Sequence, residues 1–110
     1  MTAMLPLLNA QLIEAHYDGL LKAAARARHA LDIGEAPAAL VWLDLAAQHG
    51  AFAQVDEWTQ HPKDSDVVLR GLLQVLAVAR ELVESEPEAA AAMLGDIPDI
   101  LAVHRNFLRM

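Results

Sequence analysis

Histidine is the residue of this chain best able to do chemistry, because there are five of them, no cysteine, and serine only at Ser65 and Ser85. Glu57 and His61 stand four apart, which on a helix puts a carboxylate and an imidazole on one face. His61 abuts Pro62, however, and a usable metal site needs three or four convergent ligands. Neither the di-iron Glu-x-x-His nor the zinc His-Glu-x-x-His pattern occurs, so no metal ligand is assigned. His16 and His104 each lie near the middle of an apolar helical face. His16 sits among Leu12, Ile13, Leu20 and Ala23, and His104 among Ile100, Leu101, Phe107 and Leu108. If those two helices are neighbours, the imidazoles meet. Each is expected to be a hydrogen-bonded core histidine, with a pH-sensitive contact or a partner-facing polar anchor as the alternatives.

Covalent catalysis has little to draw on. Ser65 and Ser85 are better explained as helix starts, and neither lies in Gly-x-Ser-x-Gly. The five glycines are scattered, so no phosphate-cradling loop forms. Carboxylate groups such as Asp56 with Glu57, or Glu84, Glu86 and Glu88, are usual for solvated faces and helix N-termini. No catalytic residue and no cofactor is assigned, and an enzyme is not expected. The segment ALVWLDLAAQHGAFAQVDEW superficially resembles a helix-turn-helix, with Ala46 and Gly50 at a suggestive spacing. Its second helix carries Asp56 and Glu57 and no Lys or Arg, which opposes a phosphate-lined groove, so direct nucleic-acid binding is not expected.

The elements that position these residues are helices. Pro6 suits a first turn, and a long N-terminal helix is expected to run to Ile33, with Gly34 as a left-handed cap. On it Leu12, Ile13, Leu20, Ala23, Ala24, Ala27 and Leu31 share one face, and Gln11, Glu14, Asp18, Lys22 and His29 the other. Asp18 and Lys22 make an i,i+4 pair. Gly19, Ala23 and Ala27 form a small-residue stripe, which predicts a tight helix crossing. Pro37 opens a second helix closed by Gly50, and a short third, AFAQVDEWTQ, stops at His61-Pro62. KDSD makes a polar turn with Asp64 or Ser65 as N-cap. The fourth helix is DVVLRGLLQVLAVARELVE, Asp66 to Glu84. Ser85 and Glu88 read as a capping box for a fifth, alanine-rich helix ending at Gly95, and a sixth begins around Asp96 to Pro98. No segment alternates with period two. The expectation is an all-α fold, a small bundle of five to six helices in a single domain, residues 1–110, with the fourth helix central.

Composition leaves apolar surface over. Hydrophobic residues are 55% of the 110, mostly Ala, Leu and Val, and a domain of this size hides only about 65% of the surface its unfolded chain exposes. On the fourth helix Arg70, Gln74, Arg80, Glu81 and Glu84 occupy one sector, and apolar residues fill the rest, an arc about twice the 100° that one core-facing side needs. Those charges also rule out a membrane span. Either this helix is enclosed by the first, second and last helices, or one edge, Leu69 with Leu73 or Val67 with Val78, is finished by a second chain. Leu7 and Leu21 fall on the polar side of the first helix, and Val41, Trp42 and Leu45 widen the second beyond one face, as anchors of a protein interface do. The net charge of -7 opposes binding to phosphate backbones. The first basic residue is Lys22, so MTAMLPLLNAQ lacks the positive region of a signal peptide and a cytoplasmic location is expected.

The whole chain, with MLPLLNAQLIEAHYDGLLKAAARARHAL at its start and ALVWLDLAAQHGAFAQVDEWTQHP in its middle, resembles a quorum-sensing antiactivator of the QslA type. The resemblance lies in length and style rather than in a motif, so no residue carries a role across. It implies a dimeric protein that binds the ligand-binding domain of a LuxR-type transcription factor, blocks its dimerisation and keeps it off DNA. The expected function is therefore that of a protein-binding negative regulator, and a homodimer. Alternatives are an export chaperone or immunity-type inhibitor covering a hydrophobic helix of a client, and a small-molecule-binding helical domain with His16 or His104 in its pocket.

Overall fold

Helix punctuation accounts for most of the architecture. In the computed structural model the backbone is described for residues 4–60 and 67–109, and side chains for residues 14–53 and 70–103. Among the described residues five helices follow one another: α1 (Met4–Asp32), α2 (Ala36–Gln60), α3 (Val67–Leu82), α4 (Pro87–Gly95) and α5 (Ile97–Arg109). Among the described residues there is no strand, so the protein is all-α.

Gly34 ends α1 with φ +78°, a conformation that only glycine adopts without a Cβ penalty. The Glu35 amide donates to the Ala30 carbonyl at 2.7 Å and the Gly34 amide to the Leu31 carbonyl at 3.2 Å. That pair of bonds is a Schellman motif, satisfying carbonyls the helix would otherwise orphan. The connection to α2 is short, so the two longest helices run antiparallel as a hairpin. Pairs along it run in opposite directions, as a hairpin requires: Arg26 meets Trp42, Gly19 meets His49 and Leu20 meets Gly50.

The predicted stop at Gly50 does not occur, and the expected second and third helices are one. The reason is packing. A Cβ at Gly50 would lie 2.6 Å from Leu73 Cδ2 and 3.2 Å from Leu20 Cδ1, so the missing side chain is where α1, α2 and α3 come together. Glycine costs a helix interior about 1 kcal/mol relative to alanine, which burial of the flanking leucines, at about 1.5–3 kcal/mol each, exceeds. With α2 continuous, the helix-turn-helix resemblance loses its turn. The capping box also fails to form. Pro87 takes the first helical position, which makes Glu86 the N-cap with no side-chain bond, while the Glu86 amide still donates to Leu82 of α3 at 2.8 Å. Ser85 thus lies in the turn that follows α3, one residue out of frame. The Asp64 or Ser65 cap lies outside the described residues.

The helices form a four-sided arrangement. α1 packs on α2, α2 on α3, and the fourth side is α4 and α5 in succession, which together touch both α3 and α1. α3 is therefore one wall, not the enclosed central helix expected from its sequence. Inside lie Tyr17, Leu20, Leu43, Leu72, Leu76, Val83, Ile97 and Leu101. Between α1 and α2 the buried residues are largely alanines, Ala23, Ala27, Ala39, Ala46 and Ala53 among them, which lets the two backbones approach closely. The molecule measures 49 × 22 × 17 Å, its length set by the α1–α2 hairpin, since 29 residues of helix span about 43 Å.

Candidate functional site: the outer face of α2

Along α2 the residues facing inward are Ala39, Leu43, Ala46, Gly50 and Ala53. Half a turn away, Val41, Leu45 and Phe52 fall within about 40° of one another at 100° per residue. They are 67%, 38% and 59% exposed. The stripe runs about 16 Å along the helix axis. Val41 and Leu45 were singled out by sequence; Phe52 was not, because the misplaced break at Gly50 put it on a different helix.

The flanks of the stripe are polar and structured. On one side Trp42 is half-buried, with the Arg26 guanidinium carbon 5.0 Å from its ring centroid, so Arg26 covers one face of the indole. Further along the same side His49 lies over Gly19, where a Cβ would come within 2.7 Å of its ring. Its Nδ1 is 3.3 Å from Nδ1 of His16, and His16 stacks on Phe52 at 5.4 Å between centroids. The expected meeting of His16 with His104 involves a side chain outside the described residues; among those described, His16 meets His49. On the other side Arg80 Nε of α3 donates to Asp44 Oδ1 of α2 at 2.8 Å. Hydrogen bonding to Asp44, and then the Asp44 charge, hold the Arg80 guanidinium above its ordinary value. Both partners are about half exposed.

The other predicted partner-binding residues are dispersed. Leu21, Trp42 and Leu73 are half-buried and pack against the core, Leu73 through its contact with Gly50. Val78, 38% exposed, is on α3. Leu7, Val67 and Leu69 lie outside the described side chains. Ile33 and Val103 are exposed apolar residues that sequence reasoning passed over, and no periodic signal marked either.

A groove of about 200 Å³ lies between α1 and the α4–α5 junction, lined by Leu21, Arg28, His29, Asp32, Leu94 and Pro98. It is smaller than the 300–1,000 Å³ typical of ligand pockets, and His16 does not line it. Among the described residues no group of three or more His, Cys, Asp or Glu is placed to hold a metal ion. None of the described helices is long and apolar enough to cross a membrane. Compared with protein-family models, with curated proteins and with solved structures, the chain matches none.

Proposed function

We propose that this chain is a protein-binding negative regulator that works by occlusion, docking a partner along the outer face of α2. The observation that carries the reading is the row Val41, Leu45 and Phe52, which is exposed on a helix whose opposite side is fully buried. Large apolar side chains in a row, rimmed by Trp42, Arg26 and the Asp44–Arg80 pair, have the make-up of an interface: an apolar strip with a polar border. Burying three such side chains is worth several kcal/mol at about 1.5–3 kcal/mol each, before association costs. In its specific form the partner is a LuxR-type quorum-sensing transcription factor in the cytoplasm, whose dimerisation is blocked by an antiactivator that is itself a homodimer. That form rests on the resemblance of the chain as a whole.

The test is affinity capture from the native cell with the wild-type chain and with Val41→Asp. Recovery of a LuxR-type receptor in stoichiometric amount, lost with Val41→Asp while circular dichroism stays helical, supports the proposal. Recovery of a secreted or toxic client points to an export chaperone or immunity-type inhibitor instead. A receptor bound equally by the variant removes the outer face of α2 from the interface.

A further inference from the structure

On the side of α1 turned toward α4 and α5, two opposite charges stand one helical turn apart without meeting. Arg28 and Asp32 have the same i,i+4 spacing at which this helix pairs Asp18 with Lys22 at 3.1 Å. Among the described residues, however, neither Arg28 nor Asp32 makes an ion pair or a side-chain hydrogen bond. Both line the groove between α1 and the α4–α5 junction instead. Arg28 reaches across it. A Cβ on Gly95 would lie 2.9 Å from Arg28 Nη1 and 3.3 Å from its Cζ, so the guanidinium rests on bare backbone at the end of α4, where the helix dipole is negative. Its N–H donors stay open to a ligand. Asp32 closes α1, a helix end that disfavours a carboxylate and favours a cation beside it. Leu21, Leu94 and Pro98 give the groove an apolar wall.

We propose that this groove binds a free α-amino acid with an apolar side chain of about leucine's size. The planar guanidinium of Arg28 presents parallel N–H donors to the two oxygens of the ligand carboxylate. Asp32 receives the ammonium, a cation that the C-terminal end of α1 also attracts. The ligand side chain lies against Leu21, Leu94 and Pro98. Each charge of the zwitterion thus meets its opposite, and Arg28 and Asp32 each gain the partner that they do not find in one another. A volume of about 200 Å³ suits a molecule of this size and is too small for a drug-sized ligand. A peptide end matches the groove less well, because a C-terminal residue lacks the ammonium and an N-terminal residue lacks the carboxylate.

The experiment titrates the full chain with leucine and follows backbone amide resonances by NMR. Saturable shifts are expected around Leu21 to Asp32 of α1 and around Leu94 to Pro98. N-acetylleucine keeps the carboxylate without the ammonium, and leucinamide the reverse. Each is expected to bind at least about tenfold more weakly, since one charged hydrogen-bonded contact is lost. Glycine, which lacks the apolar side chain, should also bind at least about tenfold more weakly. Arg28→Gln should weaken leucine binding by about tenfold or more. Gly95→Ala should weaken it too while leaving the fold intact, because its methyl displaces the guanidinium from α4 and a helix prefers alanine to glycine. The proposal is overturned if leucine in large excess shifts no groove resonance, or if either variant binds leucine as tightly as the wild type does. Equal binding of N-acetylleucine or leucinamide also overturns it, and assigns the groove to a chain terminus. Should Arg28→Gln lose its helical circular dichroism, the ligand series on the wild type decides. No readout involves a protein partner, so the outcome is separate from that of the docking proposal.

Discussion

Helices α2 and α3 are both rich in apolar residues, yet they handle that content in opposite ways. α3 sends Arg70, Gln74, Arg80 and Glu81 to water and buries Leu72, Leu76, Ala79 and Val83, leaving Val78 as its exposed large apolar residue among those described. α2 carries apolar residues on both its inner and its outer face, with Asp44, Gln48 and His49 as its polar residues between positions 39 and 53. It turns mostly small residues inward, Ala39, Ala46, Gly50 and Ala53 beside Leu43, and large ones outward, Val41, Leu45 and Phe52. Hydrophobicity alone does not choose between those faces of α2. Size does, because a close crossing with α1 admits alanine and glycine and has no room for phenylalanine. Among the described side chains, α3 leaves one large apolar residue exposed and α2 leaves three.

That contrast can be broken at several strengths. The largest effect is expected from Leu76→Ala, which empties a fully buried position on α3 and should cost about 2–5 kcal/mol by urea denaturation. A loss under 0.5 kcal/mol would mean that α3 is not held by its own core, on a scale where about that much marks a surface site. Gly50→Val should come next, at about 1–3 kcal/mol, because its methyl groups enter space occupied by Leu73 and Leu20. Unchanged stability would show that α2 and α3 can separate there. Leu73→Asp belongs with these as a stability variant, since Leu73 packs against Gly50; full helicity and stability with lost association would return it to an interface. Val41→Asp should shift stability by no more than about 0.5 kcal/mol while abolishing partner binding, a separation that sharpens the difference between the two helices. The smallest effect is expected for Arg80→Ala. Its bond to Asp44 links α2 to α3, but both ends are solvated, so the denaturation midpoint should stay within measurement error.

The all-helical class was legible from periodicity, and so was the cap at Gly34, because a glycine after a periodic run has one well-defined local job. Glu14, Asp18, Lys22 and His29 are exposed as their spacing requires, and Lys22 pairs with Asp18 at 3.1 Å. What could not be read locally was set by contacts between helices. Gly50 resembles a terminator in isolation and acts as a packing notch only once Leu73 and Leu20 are beside it. That single misreading concealed the outer stripe, since Phe52 aligns with Val41 and Leu45 only on an unbroken helix. His49 went unremarked for the same reason: its partner is fixed by how α1 lies on α2, which no window of one strand of sequence contains. The Ser85–Glu88 pattern failed by one residue because Pro87 sets the frame of α4 and Glu86 remains bonded to α3.

The alanine-lined seam between α1 and α2 gives the molecule a directional tolerance to mutation. A core built on leucine is damaged mainly by subtraction, because trimming opens a void. At Ala23, Ala27, Ala39, Ala46 and Ala53 almost nothing remains to subtract, and each added methyl must push two backbones apart. Sequence drift along this seam is therefore confined to alanine, glycine and serine, while the outer positions only half a turn away on α2 accept any size the helix allows. A random substitution library scored by stability should trace the two faces as a sharp boundary in permitted side-chain volume, running the length of the hairpin.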